Sequence, residues 1–387
     1  MNNENTLIPE LRFPEFIDDG DWEKLVVSQV ASYENGKAHE QNIIEDGAYI
    51  VVNSKFISSD GKVRKYTDNA NCLANKDDVL MVLSDVPNGK AIAKCFYVEE
   101  NNKFTVNQRV CKITATDINS KILYYVLNRN SYLLSFDDGV KQTNLRNEDV
   151  LNCPVVLPKN PREQTKISEF ISSLDEVIEA HTQRLELLND HKKGLLQNLF
   201  PQKGEIMPKY RFSQFSTSSK WIKKRFSELF EIGNGRDYKH LEEGEVPVYG
   251  SGGYMLSVDD YLYNGESVCI GRKGTIDKPL FLQGKFWTVD TLFYTHSFKN
   301  CLPKYIFYVF ENINWKNYNE AGGVPSLSKN NIYDIEVFVP KTIDEQQKIA
   351  SCLSALDELI IAQTKKIYQL RLHKKGLMQS LFPKMND

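Results

Sequence analysis

The chain has 387 residues, enough for two or three domains with real cores at roughly 100–200 residues per domain. Apolar residues make up 41% and charged residues 26%, a soluble globular composition that excludes a wholly disordered chain, and no uncharged apolar run approaches the roughly 18 residues of a membrane span. A net charge of −3 leans against tight autonomous binding to nucleic acid.

The opening residues, MNNENTLIPELRF, hold neither a basic stretch nor an apolar core, so no signal peptide is expected. Seven cysteines (Cys72, Cys95, Cys111, Cys153, Cys269, Cys301, Cys352) are scattered, with no C-x-x-C pair. They read as free thiols in a reducing cytosol, and a cytoplasmic location is expected.

In chain order, residues 1–160 form a first mixed α and β block. Its predicted strands are 77–85, 90–98 and 108–116, with a helix at 121–130 and a polar, Gly-bearing stretch at 137–149. A helical segment follows at 161–202. Residues 203–341 form a second block with strands at 266–274, 278–289 and 291–296, a helix at 304–313 and a polar stretch at 321–334. A second helical segment occupies 342–387. Net charge runs −6 over 1–158, −1 over 159–201, +1 over 202–340 and +3 over 341–387.

This alternation is a tandem duplication. Residues 163–201 align with 345–383 without a gap at an offset of 182, and 21 of the 39 pairs are identical. HKKGLLQNLFP (191–201) and HKKGLMQSLFP (373–383) close the two copies. A second offset, 199, aligns LIPELRFPEF (7–16) with IMPKYRFSQF (206–215), Trp22 with Trp221, and NGK (35–37) with NGR (234–236). The offsets differ by 17, so the first unit carries about 17 extra residues between these landmarks.

Each repeated segment reads as a long helix. Asn160 and Thr342 suit the N-cap, Pro161 suits the first helical position, and Glu163 and Glu345 sit three residues after the caps, the spacing of a capping box. Pro201 and Pro383 end the segments, because proline has no N–H to give the helix. Inside, apolar residues step by four and three. One series is Ile167, Ile171, Leu174, Ile178, Leu185, Leu188; the other is Ile349, Leu353, Leu356, Ile360, Ile367, Leu370. That is a coiled-coil seam, with the polar His181 and Gln363 at matching positions able to set register. Each helix of about 37 residues would span roughly 55 Å. Paired antiparallel, two such helices would relate the blocks by a pseudo-two-fold axis.

Catalytic motifs are missing. GRKGT (271–275) is too short and wrongly ordered for a phosphate loop, and YGSGGY (249–254) reads as a tight turn or bulge rather than a dinucleotide fingerprint. No nucleophile elbow, H-E-x-x-H or EF-hand loop is present, and the six histidines lack metal-ligand spacing. The pattern favours a binding or organising protein over an enzyme.

The duplicated plan, the helix starts EQTKISEFISSLDEVI and EQQKIASCLSALDELI, the HKKG endings, and IGRKGT with GGVPSLS in the second block carry a resemblance. The chain resembles a specificity subunit of a type I restriction–modification system. That resemblance implies an α+β fold with two tandem target recognition domains, each reading half of a bipartite site on double-stranded DNA. It implies two spacer helices that dock two modification subunits, which methylate adenine, with restriction (nuclease/translocase) subunits as an optional further component. Catalysis would belong to the partners, so this chain would hold no cofactor or metal; S-adenosylmethionine, ATP and Mg would sit in the partner subunits.

Base reading needs donors and acceptors on base edges, with Lys and Arg on phosphates. The candidates in the first block are Asn35, Lys37, Lys90, Arg109, Lys141, Gln142, Asn144 and Arg146. Those in the second are Asn234, Arg236, Lys239, Arg272, Lys273, Ser326, Ser328 and Lys329. The paired lysines of HKKG are expected at a partner contact. Two other readings stay open: a coiled-coil scaffold whose blocks bind protein, and an enzyme whose site has no recognisable motif.

Overall fold

In a computed structural model, residues 7–87 and 89–383 are described. The residues before Leu7, read above for a leader, and those after Pro383 lie outside them. The two repeated segments form the longest elements: a central helix, Pro161–Leu199, and a C-terminal helix, Ile343–Leu381. The chain divides into two compact units. One runs to Ala180 and resumes at Tyr368; the other is His181–Ile367. Each unit therefore holds one block, the start of the helix that follows it, and the end of the other helix.

In the first unit, a four-stranded antiparallel sheet runs Ala31–Asn35, Val110–Ala115, Val79–Val82, Cys95–Tyr97. A second sheet runs Tyr66–Thr67, Tyr49–Val52, Phe104–Val106, Leu73–Ala74, and its central pair is parallel. Glu23–Val26 pairs with Pro154–Leu157, so the block's first and last strands close it. The predicted 90–98 strand shrinks to Cys95–Tyr97, because Ala93 takes a positive φ of 53° in the turn before it. Ser120–Leu127 is helical, with the Asn119 side chain accepting from the Lys121 and Ile122 amides.

The second unit repeats this order. Its antiparallel sheet is Glu231–Asn234, Leu292–His296, Ser267–Gly271, Leu280–Leu282. Its other sheet is Gly253–Val258, Glu243–Gly250, Lys285–Thr288, Tyr263–Asn264, again with one parallel pair. The single strand predicted over 278–289 is two strands, broken at Gly284 with φ +78°. YGSGGY is the turn of the hairpin between Glu243–Gly250 and Gly253–Val258.

The helices enter the cores directly. Ile167, Ile171 and Leu381 pack with Trp22, Ile113 and Leu123 in the first unit. Leu199, Ile349 and Leu353 pack with Trp221, Phe226 and Tyr305 in the second. The ends of the predicted seam thus serve block cores as well as the neighbouring helix. Leu356 and Ile367 are buried, and Leu174, Ile178, Leu185, Leu188, Ile360 and Leu370 are half-buried. Within each unit the helix segments run antiparallel. Lys374 bonds Asp175 at 2.5 Å in the first. In the second, Gln363 Nε2 donates to the His181 carbonyl at 2.7 Å and Lys192 bonds Asp357 at 2.7 Å.

The first lysine of each HKKG is therefore half-buried and ion-paired within the chain, while Lys193 and Lys375 are exposed. The expected capping boxes are also replaced. Asn160 does cap, accepting from the Arg162 amide at 3.0 Å. Glu163, however, is fully buried and takes Arg12 Nε and Nη2 at 2.8 Å each, with Trp22 Nε1 at 3.3 Å. Glu345 does the same with Arg211 at 2.7 Å twice and Trp221 at 3.0 Å. The adjoining glutamines anchor the helix starts to the loop that precedes each block's late helix. Gln164 accepts from the Asn119 amide at 2.9 Å, and Gln346 from the Leu302 amide at 3.0 Å.

Candidate nucleic-acid interface

NGK and NGR are explained by the backbone. A Cβ on Gly36 would stand 2.1 Å from the Asn107 carbonyl oxygen, and one on Gly235 1.9 Å from that of Val289. Only glycine lets the strand end pass so close. Lys37 N then donates to Val106 O at 2.9 Å and Arg236 N to Thr288 O at 2.8 Å. In both blocks this sets an exposed Asn and an exposed cation at one end of the antiparallel sheet.

In the first block, backbone bonds knit the other candidates to that end. Leu83 N donates to Arg109 O at 3.0 Å, and Leu145 N to Leu83 O at 2.8 Å. Ser84–Asp85 pairs with Thr143–Asn144, so Asn144 lies directly across from Ser84. Lys141, Gln142, Asn144 and Arg146 border one shallow depression of about 420 Å³. Lys90 is exposed in the turn after Asp85, whose carboxylate accepts from the Val86, Ala91 and Ile92 amides. Asn35 is not free-standing: Tyr33 Oη donates to its Oδ1 at 2.8 Å, and its Nδ2 donates to Asn147 Oδ1 at 3.2 Å. Burial pushes the Tyr33 hydroxyl pKa up, so it stays a donor. Tyr33, Ser84 and Asn147 belong to this surface and escaped the sequence reading, since no motif distinguishes them.

In the second block, Arg272 N and Lys273 N share the Thr291 carbonyl at 2.8 and 3.4 Å, Leu327 N donates to Arg272 O, and Lys273 bridges Ser326. Arg272 and Lys273 are exposed. Arg236 is held by its carbonyl, which accepts Trp287 Nε1 at 2.9 Å. Lys239 lies apart from these, on a depression of about 760 Å³ beside the Tyr254 hairpin. Two candidates are turned to structural work. Ser328 caps the helix Lys329–Tyr333 and donates to Glu320 at 2.7 Å. Lys329 Nζ donates to the Ile232 carbonyl at 2.6 Å, and burial, with Arg272 nearby, lowers its pKa.

The charge pattern separates two kinds of cation. Arg12, Arg211, Lys192 and Lys374 are paired to carboxylates. Lys37, Lys90, Arg109, Lys141, Arg146, Arg236, Lys239, Arg272 and Lys273 have no ion pair among the described residues. Unpaired, exposed cations beside exposed amides suit phosphates and base edges. Among the described residues no group of His, Cys, Asp or Glu is placed to hold a metal, and no helix is long and apolar enough to cross a membrane.

Each of the two α+β blocks presents such a surface and is followed by a long helix. A family model described as the type I restriction modification DNA specificity domain matches residues 19–190 and again 218–371, and the chain belongs to that family. It is similar to a putative type I specificity subunit of Mycoplasma genitalium, 22% identical with 95% of each chain covered. It is also similar to the MjaVIII type I restriction enzyme specificity subunit of Methanocaldococcus jannaschii, 23% identical over 60% of this chain, a match spanning only about half (53%) of that relative. The solved S subunit of a type I restriction–modification system from M. genitalium has the same fold, with a TM-score of 0.69 at 18% identity over 98% of this chain and 100% of that one.

Proposed function

We propose that the chain confers sequence specificity on a type I restriction–modification complex, each block reading one half of a bipartite, asymmetric target on double-stranded DNA. The observation that carries this is the repeated placement of exposed amides and of cations without an ion pair at one end of the same sheet in both blocks, beginning at Asn35–Lys37 and Asn234–Arg236. The cations set register on phosphates, and the side chains between them read bases.

On this reading the paired helices dock two modification subunits, and methyl transfer to adenine takes place there. The target adenine has to leave the stack to react, so its pocket, S-adenosylmethionine and any ATP and Mg belong to the partners, and this chain is non-catalytic. Partners closing around the DNA would add phosphate contacts and offset the net −3 charge.

Methylome sequencing of cells with and without the chain tests the reading. The expected result is a two-part methylated motif that vanishes with the chain. Exchanging residues 203–341 for the matching block of another such protein should change one half of the motif only. Methyl transfer by the purified chain alone, or a motif that persists without it, would sink the proposal.

A further inference from the structure

The polar stretch 137–144 of the first block is firmly shaped. The Asp137 carboxylate accepts from the Gly139 amide at 3.1 Å and the Thr143 hydroxyl at 2.9 Å. Asp138 accepts from the Val140 and Lys141 amides at 2.9 and 3.0 Å. At its end, Gln142 Nε2 donates to Ser84 Oγ at 2.8 Å and to Asn144 Oδ1 at 3.4 Å.

Both Gln142 N–H groups are thereby used, and so is the Asn144 carbonyl. The other ends of the two amides stay open in this arrangement. Gln142 Oε1, an acceptor, and Asn144 Nδ2, a donor, have no partner among the described residues, and both side chains are exposed. As placed, these bonds turn the Gln142 carbonyl and the Asn144 amino group outward.

We propose that Gln142 and Asn144 form one reading edge for the major-groove side of an A·T pair, with Gln142 Oε1 accepting from adenine N6–H and Asn144 Nδ2 donating to adenine N7. This deepens the reading of the blocks as DNA-recognition domains and rests on it. Adenine offers an acceptor and a donor side by side. Guanine offers two acceptors, N7 and O6, and would set O6 against Gln142 Oε1. Lys141 and Arg146 flank the pair on the same depression, where phosphates would fix its register. Among the described residues, the corresponding stretch of the second block shows no bonded pair of amides like this one. There Asn319 Oδ1 is taken by the Ala321 and Ser326 amides and Ser328 is tied to Glu320. The edge therefore belongs to one half of the target.

The test uses the full chain assembled with its modification subunits, on duplexes carrying the motif found by methylome sequencing. Each adenine is replaced in turn by 7-deazaadenine, which lacks the N7 acceptor. One position in one half should lose about tenfold in affinity, the scale of one base-edge hydrogen bond. Asn144→Ala should bind the native duplex about tenfold more weakly and show no further loss at that position. Gln142→Ala should likewise become insensitive to purine in place of adenine there, since purine lacks the 6-amino group. If no adenine in the motif is sensitive to 7-deaza replacement, or if Asn144→Ala keeps the wild-type sensitivity, the inference is overturned. Failure of the parent reading would show separately and earlier, as a wild-type complex with no defined motif.

Discussion

The two blocks share a scaffold and differ on the surface it carries. In each, a buried glutamate at the helix start joins an Arg and a Trp from the beginning of the block: Arg12, Trp22 and Glu163, then Arg211, Trp221 and Glu345. A tyrosine of the late helix bonds the next repeated carboxylate, Tyr125 to Asp175 at 2.9 Å and Tyr308 to Asp357 at 2.7 Å. The divergence begins after the strand of the parallel pair. In the first block that strand, Tyr49–Val52, leads into the short helix Ser54–Ser58, capped by Asn53. In the second, the strand Glu243–Gly250 turns into a hairpin whose Tyr254 and Met255 are exposed. The polar stretches differ too, a bonded pair of exposed amides in one and a helix-capping serine in the other. Such a division lets target reading change without disturbing the anchors that hold block to helix.

The largest effect is expected at the shared anchors. Glu163→Gln and Glu345→Gln each leave a largely buried guanidinium without its carboxylate, which costs about 3–5 kcal/mol for such a pair. The two losses should be similar, because the geometry is. Hydrogen exchange would localise each loss to its own unit; a twofold difference between them would break the equivalence.

A sharper difference is expected at the helix lysines. Lys192 contacts both Asp357 and Glu311 at 2.7–3.0 Å, with all three side chains mostly buried. Lys374 has Asp175, whose side chain is 41% exposed. Lys192→Met should cost about 3 kcal/mol, leaving two carboxylates close together, and Lys374→Met about 1 kcal/mol after solvent screening. Burial raises the Glu311 pKa. Its protonated form is thus favoured in the fold, so stability from this group is present below its unfolded pKa and fades as pH rises through its folded one. The Lys192→Met defect should accordingly shrink in mild acid, and thermal melts across pH 4–7 (roughly the window set by the reference carboxylate value) would show it. A defect that grows in acid would contradict this assignment.

Smaller losses should follow Gly36→Ala and Gly235→Ala, where the new Cβ meets backbone. About 1–3 kcal/mol of overpacking is expected, accompanied by weaker DNA binding in the assembled complex as Lys37 or Arg236 is displaced. Smallest is the loss of a single cation proposed to meet phosphate. Lys37→Ala and Arg236→Ala should each reduce the salt dependence of DNA binding by about one counterion and leave the motif unchanged. A changed motif would move that residue from phosphate to base reading.

Much of this architecture is legible along the chain. Periodicity alone places both helices, and every seam position proves buried or half-buried, because helical spacing is a local property. The repeated NGK and NGR mark matching strand ends, though only the crossing backbone explains their glycines. Of the candidate interface, the cations at 37, 109, 146, 236, 272 and 273 are indeed exposed, as short polar stretches between strands usually are.

What the tertiary structure decided are the partners of charged groups. Glu163 and Glu345 have the spacing of capping boxes, yet they bond arginines 151 and 134 residues away. Lys192 and Lys374 read as part of a partner contact and are drawn to carboxylates on the opposite helix. Lys329 and Ser328 read as DNA contacts, and the folded block also bonds them to the Ile232 carbonyl and to Glu320. A buried charge or amide is driven to whichever partner the closed chain supplies, since leaving it unpaired costs several kcal/mol. Local sequence cannot name that partner, because the choice depends on which distant strands the sheet brings alongside.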